Sequence, residues 1–222
     1  MSKLKLFKKA FTLAEVLITL GIIGVVAALT IPALMASYQE KVTITQFQKV
    51  YSQLSQAYIS AAKDYGTADN WTSAQDTYNY LKPYFQISED CPNTVGCMGN
   101  VQYLDMKGNG CGYNYNTLLR YKIVLNNGTS IMFDTTTEVF VDLNGKKSPN
   151  QWGYDLFYFV LNNKNGVAYV SGVSVGGDIP GWCTIGTQTA GWYNGGTCSN
   201  WIIRKSNLDY QKRIITAGEW GP

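Results

Sequence analysis

The pattern of hydrophobic and polar positions changes twice along this chain. Residues 16–34 carry no charged side chain and are dominated by Leu, Ile, Val and Ala. A run of about 20 such residues is long enough to cross a bilayer core as a helix. Beyond it, Ile44, Phe47, Tyr51, Leu54, Tyr58, Ala61 and Tyr65 recur at alternating steps of three and four. That spacing predicts one apolar face of an amphipathic helix, and Gly66 is its expected stop.

From Thr67 the helical period is lost. Residues 71–84 leave room for a short helix, and Pro83 and the polar stretch 88–100 predict loop. Residues 121–125 and 129–133 flank Asn126-Asn127-Gly128, a hairpin signal. A third strand is expected over 138–143, ended by Asn144-Gly145. Residues 155–161 and 167–171 flank Asn162-Asn163-Lys164-Asn165-Gly166 and predict a second hairpin, whereas 199–204 fit a strand or a short helix equally. The expected fold class is α+β: a long N-terminal helix, membrane-spanning and then amphipathic, packed on a small antiparallel sheet.

Charge sharpens the reading of the N-terminus. Lys3, Lys5, Lys8 and Lys9 precede the apolar run, and removing residues 1–10 takes the formal charge from +3 to −1. Basic flanks hold a membrane helix's N-terminus in the cytoplasm, so the rest of the chain is expected outside. The apolar run has no Ala-x-Ala cleavage end and passes into further helix, which predicts a retained anchor rather than a secretory signal. Near-neutrality of the remainder gives no global argument for nucleic acid binding. Glu15 is the anomaly, because an ionisable group in a membrane helix is costly and is normally paired.

The run Lys9-Ala10-Phe11-Thr12-Leu13-Ala14-Glu15-Val16-Leu17-Ile18, continued by Gly21-Ile22-Ile23-Gly24 and later by Ile31-Pro32, closely resembles the N-terminal segment of type IV prepilins and type II secretion pseudopilins. The resemblance covers residues 8–34 and implies cleavage by a prepilin peptidase between Ala10 and Phe11. It also implies N-methylation of Phe11, pairing of Glu15 with the Phe11 amine of a neighbouring subunit, and a helix-softening role for Pro32. Ala10 departs from the glycine usual before the cut. The implied protein is a structural subunit of a type IV pilus or type II secretion pseudopilus. Its expected partners are like subunits in a helical filament, the prepilin peptidase, an inner-membrane assembly platform and membrane lipid. Its expected location is the inner membrane, single-pass with the N-terminus cytoplasmic, and then a periplasmic or cell-surface filament. The expected organisation is a leader over 1–10, an assembly helix over 11–34, its amphipathic half over 35–66 and an extracytoplasmic head over 67–222. The alternative is a membrane-tethered binding protein that never polymerises.

Two constellations in the head bear on chemistry. Gly172-Val173-Ser174-Val175-Gly176 matches the nucleophile-elbow pattern, but a serine nucleophile of that kind needs a histidine base and the chain has no histidine. An enzyme is not expected, and the stretch reads as a glycine-rich strand end. Asp142, Asn144, Asn150 and Asp155 place four side-chain oxygen donors around Gly145, Pro149 and Gly153. They predict side-chain-to-backbone turn bonds or a calcium site built from oxygen ligands, and the resemblance adds that some pilin-like heads bind calcium in a sheet loop. No other cofactor is expected.

Five cysteines lie on the outward side, where an oxidising compartment favours disulfides. Cys183 and Cys198 are the expected bridge. Among Cys91, Cys97 and Cys111 one more pair can form, most simply Cys91 with Cys97. Trp182, Trp192, Tyr193 and Trp201 lie in and around the Cys183–Cys198 loop and are expected either to form a contact surface or to pack inward.

Overall fold

The computed structural model describes residues 12–92, 101–110, 121–172, 183 and 195–220. The chain divides into two compact units, residues 1–42 and 43–222. Helix α1, Leu13–Tyr65, runs through both.

In the first unit the helix presents apolar side chains to its surroundings, with Leu17, Ile22, Leu29 and Leu34 all at least 60% exposed. An 18-residue window reaches a mean hydropathy of 2.4, long and apolar enough to cross a membrane. The helix continues through Pro32. The hydroxyls of Thr19 and Thr30 donate to the carbonyls of Val16 and Val26 at 3.0 and 2.9 Å, so neither needs water to be satisfied.

The second unit is an α+β head. The upper part of α1 buries Phe47, Val50, Leu54, Ala57, Tyr58 and Ala61; of the expected stripe Ile44 and Tyr51 are half-buried and Tyr65 is exposed, while Val50 and Ala57 join the buried face. Gly66 ends the helix in the left-handed conformation (φ 77°), and its N–H bonds to Ala62 O as a glycine C-cap does. Helix α2, Ala74–Leu81, starts at a capping box in which Ser73 and Asp76 exchange bonds.

Among the described residues six strands follow in simple meander order, β1 to β6, all neighbours antiparallel. They are β1 (Ile87–Cys91), β2 (Tyr121–Leu125), β3 (Ser130–Phe133), β4 (Glu138–Asp142), β5 (Leu156–Lys164) and β6 (Val167–Ser171). Phe47 packs edge-on against Phe157 at 5.0 Å and lies 5.3 Å from Phe159, so alternate residues of β5 seat α1 on the sheet. The opposite face carries Met132, Phe140 and Tyr158, which are mutual register partners. Trp152 packs against Phe140 there at 5.7 Å.

Two sequence expectations are corrected and one left open is resolved. Residues 87–91, expected in part as loop, form edge strand β1. Its side chains are exposed or half-buried, so it lacks an apolar alternation, and Glu89 and Asp90 discourage further edge pairing. The second hairpin turn is shorter than the sequence suggests. β5 runs on to Lys164, and only Asn165 and Gly166 turn, with φ 53° and 81°, the two positive values a two-residue type I′ turn requires. Residues 199–204, open between strand and helix, belong to helix α3, Cys198–Lys205.

Helix α3 packs beside the part of β5 that lies beyond its pairing with β6, and Ser199 Oγ accepts the N–H of Tyr158 at 3.1 Å. Gly172 makes this close approach possible: a Cβ there would lie 2.3 Å from Asn200 N. Gly172→Ala should therefore destabilise the head by about 1–3 kcal/mol, as overpacking does. Urea unfolding of the detergent-solubilised chain checks this.

Candidate functional site

The first residues of α1 form a closed hydrogen-bond loop. Thr12 stands just before the helix, and its Oγ1 accepts the N–H of Glu15 at 3.2 Å. Glu15 Oε2 in return accepts the backbone N–H and the hydroxyl of Thr12, both at 2.8 Å. This reciprocal pair is a capping box, and its signature, Thr-x-x-Glu, was readable in the sequence. It gives Glu15 a local role that the sequence reading missed. Two N–H groups that a helix start leaves orphaned are satisfied, and the carboxylate sits where the helix dipole favours an anion. All three bonds leave Glu15 Oε1 unengaged among the described residues. The cap and an external partner are thus compatible.

Past Glu15 the next charged residue is Glu40. Between them Gly21 and Gly24 have no atom within 4 Å of where a Cβ would stand. With Ala27 and Ala28 they form the kind of small-residue surface against which another helix can approach closely. Ala10 and Phe11, the expected cleavage and methylation positions, lie outside the described residues.

The head brings Asp142, Asn144, Asn150 and Asp155 together. Asp142 ends β4, and its Oδ1 accepts the N–H groups of Asn144 and Gly145 at 3.1 and 2.8 Å. Its Oδ2 accepts the Tyr103 hydroxyl at 2.7 Å. Asp155 takes the N–H of Asn150 at 2.7 Å and of Gln151 at 2.6 Å on its two oxygens. Asn150, at φ 51°, sits with its amide nitrogen turned toward the carbonyls of Gly145 and Lys147, at 3.0 and 3.2 Å.

Both carboxylates are buried. Burial pushes Asp142 up to about 8, helped by the charge of Asp155 and opposed by its three hydrogen bonds. Burial likewise raises Asp155, against the bonds from Gln151 and Asn150. Of the two sequence readings, the geometry is that of turn bonds. Every oxygen of both carboxylates already accepts from the chain, and no group of three or more metal-ligating residues stands together among the described residues. A calcium ion wants six to eight oxygens, and these four residues do not fit it.

The expected Cys183–Cys198 bridge is present, with Cα atoms 4.9 Å apart. Cys91 is disulfide-bonded as well, and Cys97 and Cys111 lie outside the described residues. Trp201 packs inward, 2% exposed, 5.2 Å from Trp220, with its indole N–H on Asn207. It therefore belongs to the core and not to a contact surface. Trp182, Trp192, Tyr193 and Ser174 fall outside the described residues.

Residues 33–176 match a family of unknown function, DUF6613, and the chain belongs to that family. No curated protein matches the chain, and no solved structure does.

Proposed function

We propose that this chain is a non-enzymatic structural subunit of a type IV pilus or type II secretion pseudopilus, held in the inner membrane and then polymerised through α1. One observation carries the reading. A helix of 53 residues starts on a capped glutamate and then exposes an uncharged apolar surface as far as Gln39. Such a surface is compatible with lipid when the subunit is stored and with neighbouring helices when it is packed. Thr12 and Glu15 stand where the resemblance to prepilins expects the polar residues of the mature N-terminus. Within a filament, Gly21, Gly24, Ala27 and Ala28 let helices approach, and Glu15 sets their register by pairing with a neighbour's Phe11 amine.

Partners in this reading are like subunits, a prepilin peptidase and an inner-membrane assembly platform. Topology is N-in, with the head on the outer side of the membrane. The disulfide between Cys183 and Cys198 is in keeping with an oxidising compartment.

Processing is the direct test. Mass spectrometry of sheared surface filaments should find the chain beginning at Phe11, carrying one N-methyl group. Met1 retained in filament material, or filaments without this chain, would sink the reading and leave the non-polymerising tethered protein. Ala10→Gly should be processed at least as fast as the parent, and a bulky residue at position 10 should block the cut.

A further inference from the structure

We propose that the basic C-terminal surface of the head, from Arg204 to Thr216, docks on an anionic lipid surface, with Ile214 entering the headgroup layer. The proposal rests on the membrane-anchored state of the reading above and not on polymerisation.

Charge sets this segment apart. Residues 204–219 hold Arg204, Lys205, Lys212 and Arg213 against Asp209 and Glu219, whereas the chain from Phe11 onward carries −1 in all. The rest of that chain is therefore net acidic, and positive charge is concentrated here. All four cations are exposed, while both carboxylates are half-buried.

The fold gathers these residues into one patch. Ser206 follows α3 at φ 51° and turns the chain back, and Trp201 Nε1 donates to Asn207 Oδ1 at 2.7 Å. Arg213 pairs with both Asp209 and Glu219, its Nη1 lying 2.6 Å from Glu219 Oε1. Arg204 Nη1 donates to Trp220 O at 2.9 Å. The apolar side chains are otherwise buried: Leu208, Tyr210, Ile215 and Trp220 all belong to the core, and the Tyr210 hydroxyl donates to Gly153 O at 2.7 Å. Ile214 is the exception, 62% exposed beside Arg213.

Its place along α1 says what this surface meets. Gln48 Nε2 donates to Ser206 Oγ at 3.3 Å, and Gln48 stands in the second turn of α1 inside the head unit, which begins at Thr43. The patch thus lies at the end of the head from which the chain runs back to the uncharged apolar segment. Cations around an exposed aliphatic side chain suit an anionic interface. The charges are drawn to its negative surface potential, and the side chain is buried at the acyl boundary. Nucleic acid would use the same cations, but it has no use for Ile214. It also finds no exposed ring here on which to stack a base, since Trp201, Tyr210 and Trp220 are buried.

The test is amine labelling of the full chain in nanodiscs of phosphatidylcholine alone and of phosphatidylcholine with phosphatidylglycerol, read lysine by lysine by mass spectrometry. Lys205 and Lys212 should be acylated about fivefold more slowly in the anionic discs, the scale of one cation's attraction to an anionic leaflet. Salt at about 0.5 M should abolish the difference. Lys146 and Lys147, in the loop after β4, should be labelled alike in both discs. Ile214→Ser changes no charge and an exposed side chain, so its melting temperature should match the parent's while most of the protection is lost. Mere closeness to a charged bilayer would not respond to it. Equal labelling of Lys205 and Lys212 in the two discs, equal slowing of Lys146 and Lys147, or full protection in Ile214→Ser overturns the proposal. So does the same protection appearing in detergent as protein concentration rises, which would make the patch a contact between copies. A chain that fails to enter discs would overturn the anchor and this proposal together, whereas entry without lipid-dependent protection overturns the proposal alone.

Discussion

Glu15→Gln should leave the protein at parental levels in the membrane and remove it from sheared filaments. The capping box explains why this substitution separates the two roles of Glu15. Glutamine at the third helical position still accepts the Thr12 N–H, so the helix start survives while the charge is lost. In lipid the neutral side chain is easier to accommodate. In a filament, a neighbour's Phe11 amine would be buried among packed helices without its counter-charge. Removing one partner of a buried pair costs about 3–5 kcal/mol, repeated at each subunit. Thr12→Ala is the complementary variant. It keeps the charge and loses the cap, at a cost of about 1 kcal/mol, and should still assemble. Comparing membrane-bound and sheared amounts of the three proteins decides between pairing and capping. Should Glu15→Gln assemble normally while Thr12→Ala fails, the cap would be the whole function of Glu15.

That ambiguity shows where the sequence was legible and where it was not. Long periodic segments were readable because burial imposes one period over many residues: Phe47, Leu54, Tyr58 and Ala61 all lie on the buried face of α1. The hairpin at Asn126-Asn127-Gly128 was readable because positive φ favours glycine, and Gly128 has φ 86°. Strand β1 was not, since its outward residues Ser88, Glu89 and Asp90 carry no apolar period. Lys122 reads as the polar, outward member of an alternating strand, yet it is fully buried, and burial lowers its pKa. Alternation says which residues share a face, and only tertiary packing says whether that face is covered.

The site residues divide in the same way. Four oxygen donors between Asp142 and Asp155 announced a constellation, but ligand set and turn network use the same residue types. Tyr103, 39 positions before Asp142, is the kind of partner no local pattern reveals. The inward packing of Trp201 was undetermined for a related reason: tryptophan is frequent both in cores and at interfaces.

Asp142→Asn should make the head more stable at pH 8 and flatten its dependence on pH. Asp142 is pushed from 3.8 up to about 8, first by burial and then by the charge of Asp155. Between those values the folded head holds a proton that the unfolded chain has released. Stability from this group is therefore complete below about pH 4 and falls as pH rises toward 8, the opposite of a salt-bridged carboxylate. At roughly 1.4 kcal/mol per unit, the change across the window is capped at about 5 kcal/mol. Asp155, also raised, adds in the same direction. Asparagine suits the site: its oxygen keeps the bonds from the Asn144 and Gly145 N–H groups, and its nitrogen can donate to the Tyr103 hydroxyl. Urea unfolding of parent and variant at pH 5 and pH 8 gives the answer. The parent should lose stability between the two and the variant should lose less, so that Asp142→Asn overtakes the parent at pH 8. A parent whose stability rises from pH 5 to pH 8, with a variant weaker throughout, would mean that Asp142 is ionised in the native head. Its three hydrogen bonds would then outweigh the cost of burying its charge.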